Sequence, residues 1–163
     1  MRVFAILLTT LTTSITPVLA TELSGKASAV DADVIEIAGT RIMLFGMESV
    51  ERKETCTIGG KIWECWPAAV RQLETLVSQG DTTCTQVRPP DRYGRILGIC
   101  TVNGRNLNEA MVRSGFAVAR TDETTDFVEA EKAARNEKIG LWQGTFLKPW
   151  DFRAAAGILV DRP

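Results

Sequence analysis

The 163-residue sequence contains no histidine. That removes Ser-His-Asp and Cys-His nucleophile chemistry and leaves a zinc ion little to bind beyond cysteine. Positive charge is not in excess, since 19 Lys+Arg face 20 Asp+Glu. A protein that holds nucleic acid by bulk attraction draws a basic footprint, so any phosphate recognition here must be local. Tyrosine is represented by Tyr93 alone. Long apolar runs are missing: Val3 to Leu8 is mostly apolar, but the Thr-rich stretch after it stops short of the about 20 residues that a spanning helix needs. There is no internal repeat and no low-complexity segment.

What the first twenty residues do have is the layout of a secretory leader. Arg2 gives a positive start, an apolar run follows, and Val18-Leu19-Ala20 supplies a small-residue cleavage site. Cleavage after Ala20 leaves residues 21–163, the size of one domain with a short C-terminal extension. The expectation is a periplasmic or secreted monomer with no membrane span.

Export gives meaning to Cys56, Cys65, Cys84 and Cys100, because an even count in an oxidising compartment suggests two bridges. Three pairings are open, and geometry favours one. Cys84 and Cys100 flank the turn-rich Pro89-Pro90-Asp91-Arg92-Tyr93-Gly94 between two β-like runs. In a symmetric hairpin centred near Arg92 they sit directly opposite each other. Cys56 and Cys65 then close a short Gly-containing loop. A four-thiolate zinc site lacks the close C-x₂₋₄-C spacing such sites use.

Short β-like runs come first, over 23–30, 34–37 and 41–45, followed by a loop over 46–64. Trp66-Pro67 opens a helix with Val70, Leu73 and Val77 on one stripe and Gly80 as its stop. A second helix is expected from Asn108 as N-cap, with Leu107 and Val112 as a hydrophobic staple and Gly115 as its end. A third starts at Asp126, with Glu129 completing a capping box, and ends at Gly140. Five strands with interleaved helices suggest a small closed barrel plus helices, an α+β arrangement.

Four segments in order carry a resemblance: Asp31-Ala32-Asp33-Val34; Met43-Leu44-Phe45-Gly46-Met47-Glu48-Ser49-Val50-Glu51; Asp91-Arg92-Tyr93-Gly94-Arg95; and Leu107-Asn108-Glu109-Ala110-Met111-Val112-Arg113-Ser114-Gly115. With the ending Gly140-Leu141-Trp142, residues 25–142 resemble the staphylococcal (thermonuclease) nuclease domain. The resemblance implies a five-stranded OB-type β-barrel with three helices and calcium-dependent phosphodiester hydrolysis on the barrel wall. It places Asp33 and Glu48 on the cation, with the Ser49 carbonyl and Asp31 beside them. Glu51 would position or deprotonate the attacking water, Arg95 would contact the phosphate, and Tyr93 and Arg92 would bind the nucleotide. Such chemistry needs a hard cation with oxygen ligands and neutralised phosphoryl oxygens.

The departures fall in the same place. Met43 stands where the family has a phosphate-gripping arginine, Glu48 is one methylene longer than the family's Asp, and Ala32, Val34 and Val50 replace Gly, Thr and Pro. A missing arginine in phosphoryl transfer costs about 10³–10⁵ in rate. Arg41 lies two residues before Met43 on the same strand face and is the candidate substitute. The expected calcium affinity is therefore weak, on the millimolar scale.

Plainer readings stand beside these. Asp31 and Asp33 also suit tight turns, and Glu51 belongs to a charged run that reads equally as a solvated loop. Arg95 can pair with Asp91 within the hairpin, Tyr93 can pack the barrel, and Met43 can be wall. The four tryptophans read as cover over the barrel. Two function classes follow: a weak metal-dependent nuclease acting on extracellular or periplasmic nucleic acid, or a non-catalytic module that kept the fold. For the second, the chain is similar to secreted four-cysteine proteins of rhizobial exopolysaccharide gene clusters. That implies an accessory role beside the machinery of succinoglycan-type exopolysaccharide production.

Overall fold

The computed structural model describes residues 21–90 and 94–158. Residues 1–20, Asp91, Arg92, Tyr93 and residues 159–163 lie outside these.

Strand β1 (Glu22–Gly25) and β2 (Ala27–Asp31) divide the first run at Lys26; β3 (Val34–Ile37) and β4 (Thr40–Leu44) follow. Alternation sets which face goes inward. Ile35 and Ile37 on β3 and Ile42 on β4 are buried in the core, while Glu36 and Arg41 face out. Each such side chain contributes about 1.5–3 kcal/mol on leaving water. Strand β8 (Thr82–Arg88) pairs antiparallel with β9 (Ile96–Val102), and β10 (Arg105–Asn106) folds back on β9. The main sheet runs β1-β8-β9-β4-β3-β2, antiparallel except for the parallel β4/β9 pair.

Two helices pack on this sheet, and a third packs against the second. Helix α1 (Cys65–Val77) buries Ala69, Leu73, Leu76 and Val77; α2 (Leu107–Arg113) buries Leu107, Ala110, Met111 and Val112; α3 (Val128–Glu137) buries Ala130 and Ala134. A 3₁₀ turn (Gly140–Gln143) leads to a further helix, α4 (Pro149–Ala155).

The architecture is α+β with two disulfides, as expected, but several details differ. Four α-helices are described rather than three, and no ladder among the described residues joins β1 to β2 to close a barrel. The segment 46–64 is not a plain loop. It holds β5 (Met47–Ser49) and a hairpin of β6 (Cys56–Ile58) and β7 (Lys61–Trp63), which local hydrogen bonds form despite the exposed Ile58 and Ile62. The N-cap of α2 is Asn106, whose side chain accepts from the Glu109 N–H at 3.0 Å. Asn108 is instead fully buried and turned to the sheet, accepting from Cys100 N at 3.0 Å and donating to Phe45 O at 2.8 Å and Gly98 O at 3.0 Å. Three buried backbone groups outbid one capping bond. Asp126 does not cap α3, which starts after Phe127 with no side-chain cap.

The disulfides are Cys56–Cys65 and Cys84–Cys100. Cys84 and Cys100 are direct partners in the β8/β9 ladder, the arrangement the symmetric hairpin required. Cys56–Cys65 sits in a second apolar cluster with Ala32, Val50, Ala69 and Leu141, against which Trp63 and Trp66 pack.

Candidate functional site

Strand β5 carries Glu48 and lies against β11 (Ala117–Ala119), where Glu48 is paired with Val118. Arg120 follows two residues after Val118, so it projects from the same face and reaches Glu48 diagonally. The approach to β5 depends on Gly46. Its φ is +74°, and a Cβ there would lie 2.5 Å from Thr124 Cγ2 and 2.7 Å from the Phe127 ring. Its N–H donates to Glu123 Oε2 at 2.8 Å, and its carbonyl accepts from Arg120 N at 2.9 Å.

Glu48 is 2% exposed. A lone carboxylate so placed would carry a heavy desolvation cost, and two guanidinium groups offset it. Arg120 Nη1 donates to Glu48 Oε2, and Arg153 Nη1 donates to Glu48 Oε1. The same Arg153 nitrogen donates to Glu51 Oε1 at 2.7 Å. Arg120 also forks onto Asp122 through Nε at 2.8 Å and Nη2 at 2.6 Å. Hydrogen bonding to Asp122, then to Glu48, holds the Arg120 pKa above its ordinary value against burial. Burial works against the Arg153 charge, but hydrogen bonds to Glu48 and Glu51 outweigh it and raise its pKa.

Glu54 is the third carboxyl here. Its Oε2 accepts from Glu51 N at 3.1 Å, while its Oε1 is buried without a hydrogen-bond partner. Burial pushes its pKa from 4.5 up to about 7, with the neighbouring Glu51 charge adding to the shift and the backbone hydrogen bond opposing it.

Arg153 comes from α4, and the chain before that helix is pinned. Thr57 and Thr145 exchange backbone hydrogen bonds at 2.9 Å each. Gly144 admits this crossing, since a Cβ there would lie 1.7 Å from Thr57 O. Pro149 starts the helix, where its missing N–H costs nothing. Trp150 lies against Arg120 and Lys148, whose cationic groups sit 5.3 and 5.2 Å from its ring centre.

The remaining sequence candidates are dispersed. Asp31 Oδ1 accepts from Trp66 Nε1 at 2.6 Å and from Ala32 N at 2.8 Å, with Arg52 at 3.7 Å from Oδ2. The Asp33 carbonyl accepts from Leu44 N at 2.9 Å. Ser49 Oγ donates to Phe116 O at 2.6 Å. Met43 is buried between Val34 and Leu97 in the ladders. Arg41 and Arg95 stand together, one residue before the paired Ile42 and Ile96, and line one cleft of about 430 Å³ with Gly39, Thr40 and Gly94. Arg41 Nε also lies 3.5 Å from Glu36 Oε2. Arg92 and Tyr93 are outside the described residues.

Calcium asks for six to eight oxygen ligands. Both Glu48 oxygens and one of Glu51 already face guanidinium nitrogens. Among the described residues no group of three His, Cys, Asp or Glu side chains is arranged to hold a metal ion. In this arrangement the residues do not fit the cation that the fold implies.

Sequence reasoning missed Arg120, Arg153 and Glu54. The one usable signal was indirect: a Glu flanked by Met47 and Ser49 on a buried strand requires cationic partners somewhere.

The α+β fold, with Glu48 on β5 and Glu51 just after it, fits a staphylococcal-nuclease-type domain. The staphylococcal nuclease homologue family matches residues 41–144, and the chain belongs to that family. The succinoglycan biosynthesis protein ExoI of Rhizobium meliloti (strain 1021) is 32% identical over 122 residues, covering 73% of this chain and 64% of that protein. The staphylococcal-like nuclease CAN1 of Arabidopsis thaliana is 29% identical over 118 residues, covering 69% of this chain and 33% of that protein. The chain thus spans less than two thirds of the length of either relative.

Proposed function

We propose that this is an exported staphylococcal-nuclease-type domain with a degenerate phosphodiester site, acting as an accessory protein in succinoglycan-type exopolysaccharide production. The observation that carries the reading is the occupation of both Glu48 carboxylate oxygens by Arg120 and Arg153. Met43 adds to it, because an apolar side chain buried at 6% exposure stabilises no phosphoryl charge. The name of the Rhizobium relative supports the pathway. Two disulfides support an oxidising compartment, periplasmic or extracellular, and no described helix is long and apolar enough to cross a membrane. The test is deletion of the gene in its host with measurement of secreted exopolysaccharide. A loss restored by the wild-type gene and equally by a Glu51→Gln, Arg95→Gln copy is expected; unchanged polysaccharide contradicts the role.

A second reading, a weak calcium-dependent nuclease on periplasmic or extracellular nucleic acid, is favoured by the shared cleft of Arg41 and Arg95. Two guanidinium groups on neighbouring strands suit a phosphodiester. Here Arg95 would hold the phosphate, Arg41 would replace the arginine lost at Met43, and Glu51 would serve the water. Weak calcium binding by Asp33 and Glu48, with Asp31 and the Ser49 carbonyl, belongs to this reading.

A further inference from the structure

We propose that Arg153 is a built-in cation that takes the place of a divalent metal between Glu48 and Glu51, delivered by a helix outside the family-matched part of the chain. The inference rests on the reading of these two acids as the family's site carboxylates, and is independent of any pathway.

The geometry is specific. One nitrogen, Nη1, meets an oxygen of each carboxylate, as a metal ion does when two carboxylates bridge onto it. The N···O distance to Glu51 is 2.7 Å, that of a charge-assisted hydrogen bond. The Arg153 side chain is 10% exposed and Glu48 2%, so water screens this pair little. Helix α4 spans Pro149–Ala155, whereas the family match ends at 144. The Thr57–Thr145 pairing and the Trp150 contact with Arg120 hold the helix in register with the acids. Charge requirements agree as well. Glu48 and Glu51 present their carboxylates to the guanidinium groups of Arg120 and Arg153. An additional divalent ion would have to displace one of them.

Removing the Arg153 charge should therefore create the metal site. The test is thermal unfolding of the full chain with calcium titrated from zero to about 10 mM, the range of weak extracellular sites. Wild type, Arg153→Gln and a surface control, Arg113→Gln, are compared. Arg113 instead pairs with the exposed Glu137 on α3. Wild type and the control should show no calcium-dependent change in Tm. Arg153→Gln should melt lower without calcium and be restored by it, with apparent affinity at least about tenfold above wild type. Should the variant fail to fold in plain buffer, calcium added during refolding should recover its near-UV circular dichroism. The proposal is overturned if folded Arg153→Gln ignores calcium, if calcium does not rescue an unfolded variant, if the control responds equally, or if wild type binds calcium as tightly as the variant.

Discussion

Arg153 and Glu51, 102 residues apart in sequence, meet at 2.7 Å, and the same arginine nitrogen also holds Glu48. The contact ties the C-terminal helix to the loop that, by family resemblance, would bear the catalytic acids. The sequence departs from the family at this place, and the structure supplies a second, independent departure there.

Arg120 is the other half of Glu48's compensation. Substitution of Arg120 by Met removes one guanidinium from a nearly fully buried carboxylate, a change that costs about 3–5 kcal/mol in buried pairs. Asp122 is 64% exposed, so Asp122→Ala should cost under about 1 kcal/mol. Urea unfolding at neutral pH checks both; equal costs would mean that Glu48 is not the partner that matters.

Asn108→Ala strands Cys100 N behind α2 and takes a donor from Phe45 O and from Gly98 O, the latter still accepting from Phe45 N. Each lost partner in the interior costs about 1–3 kcal/mol, so the variant should lose about 3 kcal/mol or more by the same measurement. Asn106→Ala, which removes only a cap, should cost about 1 kcal/mol. The reverse order would restore Asn108 as the cap.

Glu54 gives stability a pH dependence of definite sign. The folded protein holds the Glu54 proton up to about pH 7, whereas the unfolded chain releases it near 4.5. Between these values the folded state binds more protons, so stability from this group falls as pH rises through the window and levels off above it. Glu54→Gln should flatten that part of the profile of urea midpoint against pH. An unchanged slope would place the titration elsewhere.

Much of the fold was legible because its signals are local. Alternation in 34–37 marked β3, and equal arms about Arg92 placed Cys84 opposite Cys100. The cap of α2 was misplaced because Asn106 and Asn108 are equivalent on propensity, and only the sheet distinguishes them. The candidate site was half legible. Its acids, Glu48 and Glu51, lie three residues apart and carry the family pattern. Their partners come from 72 and 105 residues further along, and Arg153 lies beyond the resemblance. No local pattern identifies a cation brought in by tertiary packing.

The central claim is that this domain kept the nuclease fold while its phosphodiester site lost the ability to stabilise the transition state. The most direct measurement is cleavage of single-stranded DNA by the purified protein across a calcium titration, with Met43→Arg and the Met43→Arg, Arg153→Gln double variant alongside. Loss of an arginine from phosphoryl transfer predicts turnover about 10³–10⁵ below an intact family site, with no calcium response in the wild type. The double variant should recover calcium-dependent cleavage in part, and more than Met43→Arg alone. Vigorous calcium-dependent cleavage by the unmodified protein would contradict the account and transfer the missing arginine's role to Arg41.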